Sequence, residues 1–173
     1  MTSQEFRNKI IRYYKTDNVF NYIICIAFIL LGLFFLVKFL QGNFSQNEAS
    51  LNPLSLLASG IPILFGIYGL WRIKQDYIIN EMYSNASIDT KRMVVEQYLS
   101  KVKILFQTKE GNYYSYRYRN RYFMIVDLRV FLTDDKIMYN TMGGDRSALK
   151  GILDFGLSYR ASKKFRNHLN TCL

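Results

Sequence analysis

The segment Tyr114-Ser115-Tyr116-Arg117-Tyr118-Arg119-Asn120-Arg121-Tyr122 holds the densest set of groups able to bind an anion in this 173-residue chain. On a strand, successive side chains point to opposite faces, so Tyr114, Tyr116 and Tyr118 share one face while Arg117, Arg119 and Arg121 share the other. Three guanidiniums in a row offer forked N–H donors to a phosphate, whether on a small ligand or on a lipid headgroup. The same pattern suits an edge strand kept from unwanted pairing by charge, with tyrosines on its half-buried face. Both readings stay open on sequence. Base stacking would need the tyrosine rings exposed, and in a domain of this size they belong in the core, so nucleic acid is not an expected partner.

Groups that could do covalent or metal chemistry are scattered. His168 has no second histidine and no paired cysteines near it, which removes zinc-type spacing. Cys25 lies inside an apolar run and Cys172 is next to last, so no disulfide framework is expected. Asp154-Phe155-Gly156 spells the metal-binding triplet of kinases, but without a glycine-rich loop or a catalytic H-R-D segment, in far too short a chain. Asp134, Asp135 and Asp145 sit where turns favour aspartate, and Ser147 lacks a G-x-S-x-G elbow. Asn43-Phe44-Ser45 is a formal glycosylation sequon. The expectation is a protein that is not an enzyme and has no cofactor and no metal.

The elements that would position the arginine row divide sharply. The chain is 50% apolar with a net charge of +10, and its apolar residues concentrate in two early runs. Residues 19–41 form the first expected transmembrane helix; its first 22 positions would span about 33 Å at roughly 1.5 Å per residue. Lys38, near its outer end, can snorkel. A cleaved signal peptide is the competing reading, disfavoured by the length of the run and the absence of a small-residue cleavage pattern. Residues 53–72 form the second expected helix, opening on Pro53 and kinked at Pro62. Ser55, Ser59, Pro62, Gly66 and Gly69 follow at helical spacing, a stripe of small residues suited to pack on Gly32 and Cys25 of the first helix.

Charge fixes the orientation. Arg7, Lys9, Arg12 and Lys15 precede the first run, eighteen basic residues follow Trp71, and the loop 42–52 has none. Basic flanks resist translocation, so the chain reads as a two-pass integral protein of the inner or plasma membrane, with both termini cytoplasmic and the short loop on the other side. Residues 1–18 read as a basic amphipathic segment whose Phe6, Ile10, Tyr13 and Tyr14 face would lie among headgroups, or else simply as a basic flank.

Beyond the spans, 73–86 keeps helical spacing and reads as a stalk, and 87–173 as a small cytosolic α+β domain. A helix capped by Ser87 or Asp89 runs to about Ser100, with Met93, Val94, Gln97 and Tyr98 as its inner face. Period two then takes over in VKILFQT, a KEGN turn, YYSYRYR, YFMIVDLRVFLT from Tyr122, an Asp134-Asp135 turn and KIMYNT. Ile152–Leu157 reads as a short strand or an irregular crossing. Tyr159–Cys172 closes the domain as a helix burying Ala161, Phe165 and Leu169. This predicts a helix, four or five antiparallel strands and a C-terminal helix; a small β-barrel or a pleckstrin-homology-like roll would give the same pattern.

The expected function is therefore a membrane-anchored, non-enzymatic module presenting a basic domain to a protein partner or a phosphate-bearing ligand. The layout of two spans and a β-rich cytosolic domain resembles the two-helix membrane effectors of bacterial antiphage signalling. That resemblance is one of layout, assigns no residue, and implies an alternative: a nucleotide-sensing effector in which the cytosolic domain controls assembly of helices between copies of the chain. A small membrane-bound enzyme is the third reading and rests on no constellation.

Overall fold

The structure, a computed structural model, describes residues 1–45, 53–120, 124–143 and 156–173. The chain divides into two compact units, one formed by Met1–Thr16 with Asp76–Leu173 and the other by Asp17–Gln75. Helix α1 spans Ser3–Ser45 and α2 spans Pro53–Gln75; then come β1 (Asn80–Tyr83), α3 (Ile88–Leu99), β2 (Lys103–Glu110), β3 (Tyr113–Arg119), β4 (Ile125–Leu132), β5 (Lys136–Gly143) and α4 (Leu157–Cys172).

The first unit is an α+β fold around one antiparallel sheet of order β1-β5-β4-β3-β2. Among the described residues the sheet is open, with β1 and β2 at its edges and no pairing between them to close a barrel. Period-two alternation in β3 sends Tyr114, Tyr116 and Tyr118 into the core, where they meet Val130, Leu128 and Val126 of β4 and the inner faces of α3 and α4. Phe165 of α4 anchors this side edge-on to Tyr98 at 5.0 Å and to Tyr139 at 4.9 Å.

The opposite face of the sheet is covered by the chain's own N-terminus. Phe6, Ile10 and Tyr14, four residues apart on the first turns of α1, are buried against Tyr113, Phe131, Met138 and Met142. The apolar face assigned by sequence to the headgroup region thus meets protein, and Tyr13, grouped with it, is exposed. The start of α1 is closed by the Thr2/Glu5 capping box, with reciprocal bonds of 3.2 and 2.7 Å. Lys9 pairs with Glu110 at 2.6 Å, and Arg7 pairs with Glu81.

Three local differences from the sequence reading have simple causes. The stalk is not helical throughout: α2 ends at Gln75 and Asn80–Tyr83 becomes β1, because pairing with Lys136–Tyr139 satisfies its backbone along the free edge of β5. In α3, capped by Ser87 through a 3.1 Å bond to the Thr90 N–H, Val95 and Leu99 are buried with Val94 and Tyr98, while Met93 and Gln97 face out; the buried stripe is turned from the expected one. Lys91, a charged residue that sequence alone would place in solvent, is buried because its Nζ donates to the carbonyls of Thr133 and Asp134 at 2.9 and 2.8 Å, tying α3 to the β4–β5 turn. Burial pushes its pKa down.

The second unit brings α1 and α2 into close contact. A Cβ on Gly32 would lie 2.6 Å from the Ser59 carbonyl oxygen, and one on Gly66 would lie 2.6 Å from that of Cys25, so hydrogen at these two positions is what lets the backbones approach. Ser59 and Gly69 are buried, Pro62 is half-buried within an unbroken α2, and Ser55 lies in its first turn. Among the described residues one stretch, Asn18–Gln41, is long and apolar enough to cross a membrane. The loop expected over 42–52 begins later than read from sequence, because α1 runs on to Ser45; residues 46–52 and the expected crossing at 152–155 lie outside the described residues.

Candidate anion-binding cleft

A cleft of about 800 Å³ opens where the end of α3, the start of β2, the end of β3 and the first turns of α4 converge. Lys101, Lys103, Arg119, Arg160 and Lys164 line it, and among the described residues no carboxylate does. Its floor is apolar and aromatic, from Tyr98, Tyr118, Val126 and Ala161.

Local sequence explains each placement. α3 stops at Leu99, and Ser100 caps it by donating its backbone N–H to Glu96 and its hydroxyl to Gln97, both at carbonyls. The chain then turns sharply, which brings Lys101 and Lys103 to one rim. Arg119 is the last residue of β3, where the ladder with Ile125 ends. α4 begins after Gly156, whose φ of 76° suits glycine, and its first turn is fixed to β5 by the Ser158 hydroxyl accepting from the Gly143 N–H at 2.9 Å and the Ser158 carbonyl accepting from Thr141 at 3.0 Å. Leu157, Arg160 and Ala161 of that turn line the cleft, so the positive end of the α4 dipole adds to the side-chain cations.

The electrostatics are one-sided. Lys101, Lys103, Arg119 and Lys164 bring like charges to one cleft, and an anion among them relieves their mutual repulsion. The Nε of Arg119 is itself shut off from solvent and has no hydrogen-bond partner. On the floor the Tyr98 and Tyr118 hydroxyls lie 3.3 Å apart. Burial raises the pKa of both phenols, with the Tyr98 hydroxyl adding to the effect on Tyr118, so both keep their protons. One O–H serves the mutual bond and the other remains to donate.

The predicted arginine row is split by its surroundings. Arg117 faces Asp127 directly across β3 and β4 and donates to both its oxygens, Nε to Oδ1 at 2.7 Å and Nη2 to Oδ2 at 3.0 Å. Arg119 lines the cleft, and Arg121 lies outside the described residues, as do Asp145, Ser147, Asp154 and Phe155.

Sequence reasoning missed the rest of the cleft cations, because Lys101 and Lys103 lie far along the chain from Arg160 and Lys164. It also missed Arg129, which is buried and donates to the Tyr14 hydroxyl while its guanidinium lies 4.0 Å from the Tyr13 ring centre. Tyr14 donates to Asn140 at 3.0 Å, and Asn140 in turn donates to the carbonyls of Asp76 and Ile78, both at 2.9 Å. His168 contacts the Val94 carbonyl at 3.1 Å, with Cys172 Sγ 3.9 Å from its ring one helical turn on. Among the described residues no three His, Cys, Asp or Glu side chains gather as a metal site would require.

Compared with known proteins, the chain matches no family model, no curated protein and no solved structure.

Proposed function

We propose that this chain is a two-pass, membrane-anchored, non-enzymatic module that carries a basic α+β domain on the cytoplasmic side and binds an anion in the cleft between α3, β2, β3 and α4. The observation that carries the reading is the convergence of Lys101, Lys103, Arg119, Arg160 and Lys164 on one cleft with no carboxylate among its described lining. The apolar stretch Asn18–Gln41 supports the anchor, and the absence of basic residues from 42–52 supports the two-pass orientation. The engagement of Gly32 and Gly66 within one chain favours helices that anchor over helices that assemble between subunits.

The test is thermal unfolding of the full chain in a neutral detergent, with inorganic phosphate, pyrophosphate and glycerol 3-phosphate added in turn. An anion at about 100 times its dissociation constant stabilises by about 2.7 kcal/mol, which raises the melting temperature visibly. The shift should vanish in an Arg119→Gln/Lys164→Gln double variant. No shift with any of the three, from a protein that melts cooperatively, refutes the anion reading.

A further inference from the structure

Resting on the reading of the cleft as an anion site, we propose that its ligand is the phosphate headgroup of an anionic membrane lipid, and that the apolar edge of β2 beside it enters the bilayer boundary. The reason lies directly along the strand. Lys101, Val102 and Lys103 line the cleft, and the next three residues are Ile104, Leu105 and Phe106, which are 39%, 41% and 62% exposed. β2 is an edge of the sheet, and among the described residues no strand lies beyond it. The register slips between Ile104 and Phe106: Ile104 opposes Tyr118, Phe106 opposes Arg117, and Leu105 is left over as a bulge. A regular strand alternates its faces, and this irregularity instead presents three consecutive large apolar side chains along one free edge. Met124, which also lines the cleft, adds a fourth at 44% exposure.

This juxtaposition of cations and exposed apolar side chains fits one occupant better than others. A soluble phosphate would use the cations and leave the apolar edge in water. A second copy pairing along β2 would meet the bulge, together with Lys103 and Lys109, features that spoil strand addition. An anionic lipid uses both halves at once, its phosphate among Lys101, Lys103, Arg119 and Lys164 and its acyl region against Ile104, Leu105 and Phe106.

The test places an environment-sensitive fluorophore on Phe106→Cys, in a full chain with Cys25→Ala and Cys172→Ser, reconstituted in lipid nanodiscs. In discs of phosphatidylcholine containing phosphatidic acid the label should shift to the blue and lose emission to spin-labelled acyl chains. In pure phosphatidylcholine, and in a Lys101→Gln/Arg119→Gln/Lys164→Gln variant, it should do neither. If the label stays in water in both kinds of disc while glycerol 3-phosphate still stabilises the protein, the lipid assignment is overturned and the anion site stands. If phosphate, pyrophosphate and glycerol 3-phosphate all fail to stabilise it as well, both fall. Lipid contact that persists in the triple variant overturns the headgroup assignment, as does a soluble nucleoside phosphate that stabilises the protein more than glycerol 3-phosphate and withdraws the label from lipid.

Discussion

Arg117 and Asp127 stand directly opposite each other on β3 and β4, and the guanidinium grips both carboxylate oxygens, at 2.7 and 3.0 Å. The carboxylate also lies 3.9 Å from Arg129, and both Asp127 and Arg129 are buried. Arg117 therefore belongs to the wall of the sheet and is already engaged by a counter-charge.

The two partners should respond unequally to removal. Asp127→Ala withdraws the carboxylate from a buried guanidinium and is expected to cost about 3–5 kcal/mol. Arg117→Ala removes a side chain that is 40% exposed and should cost about 1 kcal/mol or less. Urea unfolding in neutral detergent measures both, and equal losses would refute this account. Anion binding in the cleft should survive Arg117→Ala unchanged.

The N-terminal turns of α1 are part of the folded domain. Phe6 is fully buried and stacks on Phe131 with ring centres 5.8 Å apart, so Phe6→Ala should destabilise by about 3–5 kcal/mol. Tyr14→Phe takes the hydroxyl from between Arg129 and Asn140 and should cost about 1–3 kcal/mol. A loop-like tolerance of both changes in thermal melts would show that these turns do not hold the sheet.

Close helix approach at Gly66 leaves no room for a side chain. Gly66→Val would drive atoms into the Cys25 carbonyl and Ile29 and should lower the melting temperature of the full chain in detergent. Gly60, with nothing within 4 Å of a built Cβ, is the control: Gly60→Ala should be neutral, or stabilising by up to about 1 kcal/mol through helix propensity. The same loss at both positions would argue against a specific crossing.

Acid should act on Glu81. The hydrogen bond from Lys136, with the charges of Lys136 and Arg7, holds its pKa below the ordinary carboxylate range against the opposing effect of burial. A lowered carboxylate pKa contributes stability that is complete above its unfolded value, about 4.3, and is lost as pH falls through the lower folded value. Melting followed from pH 7 to pH 3 should show little change from this group down to about pH 5 and a decline below it. Glu81→Gln should flatten that decline, and an unchanged acid slope would remove Glu81 from it.

Orientation is testable with the native thiol. In intact cells Cys172 should react with a membrane-impermeant maleimide only after permeabilisation, while Asn47→Cys, between the two apolar runs in a chain whose Cys25 and Cys172 are replaced, should react from outside. Labelling of Cys172 from outside would overturn the proposed cytoplasmic placement of the domain.

Much of this architecture is written in local pattern. Two apolar runs, period two from Val102 onward and the Ala161, Phe165, Leu169 spacing are properties of neighbours in the chain, and the helices, the antiparallel strands and the inward tyrosines of β3 follow from them. What sequence left undetermined is set by partners distant in the chain. Whether Phe6, Ile10 and Tyr14 meet lipid or protein depends on a sheet face assembled more than a hundred residues later. Arg117 and Arg119 are the same residue type two positions apart, yet one is neutralised by Asp127 and the other lines the cleft, because burial and pairing belong to the neighbours across the strand and not to the side chain itself. The cleft draws its cations from β2, β3, α4 and the turn after α3, so it comes into being only when the chain is packed.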